Sequence, residues 1–172
     1  MYGLGGDHLQ ESGADLVGHY EGLAATGISE ALAVLPRSLE IYRSMVARAR
    51  ADRPDVFVAI DFPEINFRLA AALRKLGIPV VYYIGPQAWA WRRGRFETMR
   101  RLVDLALVIF PFEEAIYRDA GIPVEFVGHP LVELSAPTEA RESFLDSQGL
   151  VLTAPTVALL PGSRPNELRA IL

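Results

Sequence analysis

Four short strings in this chain carry residue types whose spacing could do chemistry. "AIDFP" (59–63) ends an apolar run on Asp61 and follows it with Pro63, a residue suited to the first turn of a helix. Asp61 either presents its carboxylate at the end of a strand or caps the helix that Pro63 begins. "PQAWAWRRGR" (86–95) holds both tryptophans, Trp89 and Trp91, beside Arg92, Arg93 and Arg95. Such a set suits a ligand with an apolar body and an anionic group, through stacking and charge-assisted hydrogen bonds. It equally suits a core tryptophan next to a solvated helix surface. "FVGHP" places His129 after another apolar run, as a binding residue or as a structural hydrogen-bonding one. "LLPGSRPNE" (159–167) would aim backbone amides near Gly162, the Ser163 hydroxyl and the Arg164 guanidinium at a phosphate or diphosphate. As an isolated string it is also compatible with an ordinary turn.

The elements around these strings decide whether they can meet. Apolar runs occur at 55–60 ("DVFVAI"), 80–84 ("VVYYI"), 105–110 ("LALVIF"), 124–127 ("VEFV") and 157–160 ("VALL"). All but "VEFV", which contains Glu125, are nearly continuous, the pattern of strands covered on both faces. Two helical stretches between them stop at Gly77 and Gly121, each followed by "IPV", whose Pro prevents continuation and leads into a strand. Regular strand and helix alternation predicts an α/β fold with a parallel sheet and right-handed crossovers. In such sheets ligands bind beyond the carboxyl ends of the strands, where Asp61, the tryptophan segment and His129 would all lie. Residues 28–54 read as helix, with Pro36 kinking it or opening a second segment. His8 and His19 are expected in loops. "YGLGG" at the start resembles the exit of a strand, and Arg100 and Arg101 extend the basic patch after the tryptophans.

Composition removes several function classes. The 172 residues are 51% apolar, enough for a buried core, and the formal net charge of −4 disfavours general nucleic-acid binding, including single-stranded binding through Trp and Arg. There is no cysteine, so disulfides, thiolate metal sites and cysteine nucleophiles are excluded. No HExxH or other metal constellation, P-loop or GxGxxG occurs. No window approaches 18 uncharged apolar residues and no signal-peptide pattern opens the chain, so a cytoplasmic protein is expected. Five arginines between Arg37 and Arg53, against Glu40 and Asp52, read as a solvated helix face or as a surface for anionic lipid at the inner membrane.

Taken in order, "RPDVFVAIDFPEINFRLA", "IPVVYYIGPQAWAWRRGR", "VDLALVIFPFEEAIY", "FVGHPLVE" and "ALLPGSRPNE" resemble the lipid-A-disaccharide synthase family, inverting glycosyltransferases of GT-B architecture. "YGLGG" and "GISEAL" (27–32) extend the resemblance over nearly the whole chain. It implies a Rossmann-like N-terminal domain over 1–135, a linker over 136–155, and the first strand, loop and helix of a second domain over 156–172. It also implies transfer of 2,3-diacylglucosamine from UDP-2,3-diacylglucosamine to 2,3-diacylglucosamine 1-phosphate, with no metal and no cofactor. By the same resemblance Asp61 is the catalytic base or its orienting partner, and Arg164 holds the donor diphosphate. Asn66, Trp89, Trp91, Arg92, His129, Gly162, Ser163 and Glu167 line the substrates.

Departures concern substrate detail. Glu64, Ile65 and Glu133 stand where the family usually has Asp, Phe and Asp, and Gly85 replaces a Ser. The family's first strand, glycine-rich loop and most of its C-terminal domain are not among these residues, so this chain alone is expected to have little transferase activity. The rival readings are another GT-B sugar-nucleotide enzyme and a non-catalytic flavodoxin-like domain.

Overall fold

The computed structural model describes residues 1–20, 28–88, 94–162 and 168, with only the backbone of 28–35. The chain divides into two compact units, Met1–Pro130 and Leu131–Leu172. The first is α/β and opens with two parallel strands, β1 (Tyr2–Gly5) and β2 (Asp15–His19), joined through a short helix α1 (Asp7–Glu11). "YGLGG" is therefore a paired strand in its own right. His8 and His19 lie in α1 and at the end of β2, not in loops. Helix α2 (Ile28–Asp52) runs through Pro36 as one element. It crosses β2 at Gly18, where a Cβ would sit 3.0 Å from the Ile41 side chain, so the missing side chain lets the helix approach.

Four further strands, β3 (Phe57–Ile60), β4 (Val80–Tyr83), β5 (Leu105–Val108) and β6 (Val124–Phe126), pair in chain order and all run parallel. Helices α3 (Pro63–Arg74), α4 (Gly94–Leu102) and α5 (Pro111–Asp119) connect them. α3 and α5 stop as the sequence predicts: Gly77 and Gly121 take φ of +77° and +71°, and the Ile78 and Ile122 amides donate back to the Leu73 and Tyr117 carbonyls. Pro79 and Pro123 then open the next strands.

One face of the four-stranded sheet is sealed. Ala59, Val80, Tyr82, Ala106 and Val108 pack there with Ala70, Met99, Val103, Tyr117 and Ile122. A second cluster of Ile41, Met45, Val46 and Leu69 joins α2 and α3 to the flanks of β1 and β2. The opposite face corrects the expectation of strands covered on both sides: Val58 and Ile60 of the edge strand β3 are 49% and 54% exposed. The apolar run in the sequence thus overstates the burial of β3.

The second unit contains short helices α6 (Leu131–Leu134) and α7 (Arg141–Ser147). The strand predicted at 157–160 is absent: Val157, Leu159 and Leu160 are 80%, 80% and 92% exposed. A fully apolar strand needs a paired neighbour and cover on both faces, and no described residue supplies either.

At the amino edge of the sheet one carboxylate ties three elements. Asp104 Oδ1 accepts from Arg74 Nη1 at 2.7 Å and Oδ2 accepts from the Val80 amide at 2.8 Å. Partial burial pushes its pKa up, but the Val80 and Arg74 hydrogen bonds outweigh that and hold it below the usual aspartate value. A lowered folded pKa contributes stability that is present above the unfolded value of about 3.9 and lost as pH falls through the folded value. Asp104→Asn is therefore expected to lower stability at neutral pH and to flatten its decline below about pH 4, read from urea midpoints across pH. Parallel pH profiles for the two proteins would contradict this.

Candidate functional site

Because β3 to β6 are parallel, the segments that follow them emerge at one edge. Asp61 and Phe62 leave β3, Ile84 and Gly85 leave β4, Phe110 and Pro111 lead from β5 into α5, and Val127 to His129 leave β6. Three of these residues hold left-handed backbone without being glycine: Asp61 and Phe62 at φ +44° and Ile84 at +55°. Each such conformation costs on the order of 1–3 kcal/mol and persists only where its surroundings impose it.

The surroundings of Asp61 are specific. Its amide donates to the Tyr83 carbonyl at 3.2 Å, extending the β3–β4 ladder by one bond. Its own carbonyl accepts from Asn66 Nδ2 at 2.7 Å and from the Tyr82 hydroxyl at 2.8 Å. The second Asn66 amide hydrogen goes to the Ile60 carbonyl at 3.1 Å. Two carbonyl acceptors fix which end of the Asn66 amide points inward. Burial, with the Asp61 charge nearby, pushes the Tyr82 pKa far above the ordinary tyrosine value, so the phenol stays a donor.

The choice left open by the sequence is resolved here. The N-cap of α3 is Phe62, Pro63 occupies the first turn, and no side chain caps the helix. Asp61 is exposed, and its carboxylate makes no hydrogen bond or ion pair among the described residues. It projects at the carboxyl edge of the sheet, held by its backbone alone.

Beyond β5 and β6, the His129 ring lies 5.5 Å from Phe110, which stacks on Phe112 at 5.5 Å. Beneath them Glu113, only 4% exposed, accepts from the Phe110 amide at 3.2 Å and fastens the start of α5. After β4, the buried Tyr117 donates to the Pro86 carbonyl at 3.2 Å, anchoring the segment that enters "AWAWRR". A Cβ at Gly85 would stand 2.5 Å from that hydroxyl, so a side chain here would have to displace it. Arg95 pairs with Glu64 at 2.6 Å and links the starts of α4 and α3. Arg100 and Arg101 both pair with Glu97 on their own helix.

The structure thus brings Asp61, Asn66 and His129 to one sheet edge. Gly162, in the second unit, takes φ +124°. Trp89, Trp91, Arg92, Ser163, Arg164 and Glu167 lie outside the described residues. Tyr82, Glu113 and Tyr117 were missed by sequence reading because they sit in strand and helix patterns that signal only packing. Among the described residues no cluster of His, Asp or Glu could hold a metal ion.

Taken by itself, this geometry defines an α/β protein with a parallel Rossmann-like sheet and an exposed carboxylate at its carboxyl edge. The whole chain, residues 1–172, matches the family described as lipid-A-disaccharide synthetase, and the chain belongs to that family. It is 47% identical over 171 residues to the lipid-A-disaccharide synthase of Koribacter versatilis, covering 99% of this chain and 45% of that protein. Identity to the Myxococcus xanthus lipid-A-disaccharide synthase is 44%, covering 100% of this chain and 45% of the relative. To lipid-A-disaccharide synthase 1 of Legionella pneumophila it is 41%, covering 96% and 44%. The chain spans a little under half the length of these relatives.

Gly85→Ala should drive a methyl against the Tyr117 hydroxyl and cost about 1–3 kcal/mol of unfolding free energy. Tyr117→Phe in the same chain should recover part of that loss by removing the obstructing oxygen. A double-mutant cycle from urea unfolding checks this, and strict additivity of the two changes would contradict the contact.

Proposed function

We propose that this chain supplies the acceptor side of a lipid-A-disaccharide synthase. The reaction is transfer of 2,3-diacylglucosamine from UDP-2,3-diacylglucosamine to 2,3-diacylglucosamine 1-phosphate with inversion. The observation that carries the reading is the exposed Asp61 carboxylate, free of any capping duty, in a chain that belongs to this family along its whole length. In the proposed step the acceptor 6-hydroxyl attacks the anomeric carbon of the donor and loses its proton to Asp61. The bond from that carbon to the diphosphate oxygen breaks, and UDP leaves with the bonding pair. Arg164 would offset the charge that grows on the diphosphate. His129, the tryptophans Trp89 and Trp91, and Arg92 would line the sugars, their acyl chains and the phosphate, with Gly162, Ser163 and Glu167 on the donor side.

A base in this position contributes about 10²- to 10⁴-fold in rate. In a polypeptide of the relatives' full length that carries this sequence, Asp61→Asn should lower kcat within that range. Arg164→Ala should lower kcat/KM for the UDP-sugar. Wild-type turnover by both variants, in an assay of disaccharide formation, would remove the site assignment.

A sugar carrying acyl chains is presented at a lipid surface, and α2 supports peripheral contact with one. Arg37, Arg43 and Arg50 are exposed on it, whereas Arg48 is engaged by Asp15 and Asp52, and Arg53 by the Leu76 carbonyl. Among the described residues no helix is long and apolar enough to cross a membrane. Changing Arg37, Arg43 and Arg50 together to Gln should weaken sedimentation with anionic vesicles and reduce its salt dependence. Unchanged, salt-insensitive binding would rule the basic face out.

A further inference from the structure

We infer that Tyr82 and Asn66 are a positioning pair for Asp61, acting through its backbone carbonyl. The inference rests on the reading of Asp61 as the base and adds to it a role for two residues that do not touch the reacting atoms. Asp61 and Phe62 are consecutive non-glycine residues with left-handed φ, a combination that a chain leaving a strand does not adopt unaided. Relaxing them toward ordinary backbone would turn the Asp61 side chain to a different direction at the sheet edge. Besides the backbone bonds of the Asp61 amide and the Phe62 carbonyl, relaxation is opposed by a single oxygen held twice, by Asn66 Nδ2 at 2.7 Å and the Tyr82 hydroxyl at 2.8 Å.

Both donors are themselves fixed. Tyr82 is fully buried, opposite Ala59 in the β3–β4 register, and its ring lies 5.6 Å from Phe67 of α3. Asn66 sits in the first turns of α3, its amide donating also to the Ile60 carbonyl, and its backbone N–H donates to the Phe62 carbonyl at 3.2 Å. The pair therefore couples the end of β3 to β4 and to α3. Both amide hydrogens of Asn66 go to backbone carbonyls at the end of β3, so its donors act on the backbone that carries Asp61.

The test separates donation from packing. In the present chain, the intraresidue amide–Hα cross-peak and the Cα and Cβ shifts of Asp61 report its φ by NMR. Tyr82→Phe keeps the buried ring and removes only the hydroxyl, and Asn66→Asp keeps the shape but removes both donors. Each should move the Asp61 and Phe62 signals away from a left-handed backbone while the β4–β5 amide signals stay in place. In the full-length polypeptide each should lower kcat roughly tenfold to a hundredfold, the scale of a small misplacement of a reacting group, with KM for both sugars within about twofold. Left-handed signals persisting at Asp61 in both variants would overturn the pair, as would full kcat despite their loss. The transferase reading fails by a different result, Asp61→Asn with wild-type turnover, which leaves the NMR outcome untouched.

Discussion

A strand that runs parallel to its neighbour obliges the chain to cross back over the sheet before the next strand can begin, so every strand ends at the same edge. That constraint organises the first unit of this protein. Four successive strands pair in chain order, and the residues after each arrive together at one rim. Nothing in the local sequence of "AIDFP" or "FVGHP" puts them on a common rim; the parallel ladder does, with β4 and β5 between them. The opposite rim carries the structural work, with Asp104 tying Arg74 to the start of β4.

The same rim is where the backbone is least relaxed. Asp61, Phe62 and Ile84 occupy left-handed conformations within the turns that follow β3 and β4. Strain of that kind is retained only when neighbouring bonds over-determine it. Here those bonds come from a buried tyrosine and an asparagine that between them hold one carbonyl oxygen. Next door, Tyr117 holds the Pro86 carbonyl and excludes a side chain at Gly85. Two buried phenols thus brace two adjacent exits from the sheet. Their polar tips reach backbone and their rings fill the core, which satisfies the requirement that a buried hydroxyl find a partner.

Much of this fold is legible in the sequence. "VVYYI" and "LALVIF" are apolar without a break because β4 and β5 are interior strands, and Gly77 and Gly121 mark helix ends because only glycine takes the required φ at little cost. What was not legible depends on tertiary partners. β2 is five residues containing Asp15 and Gly18, a poor strand on propensity, and it becomes one through pairing with β1 beneath α2. "VALL" looks like β4 and β5 yet stays exposed, since the pattern reports a need for neighbours and cannot supply them. The position of Asp61 at a strand end could be read from the string, but its release from capping could not, because the N-cap fell to Phe62. The pairing of Arg100 and Arg101 with Glu97 was in reach of helical spacing, which puts residues three and four apart side by side.

The central claim is that the exposed carboxylate at the end of β3 receives the proton of the attacking hydroxyl. The most direct measurement is a crystal structure of the full-length polypeptide with the acceptor sugar 1-phosphate and UDP. The account predicts the acceptor 6-hydroxyl within about 2.6–3.2 Å of an Asp61 carboxylate oxygen, the reach of a general base. An ordered acceptor whose hydroxyl lies away from Asp61, with no water between them, would contradict it.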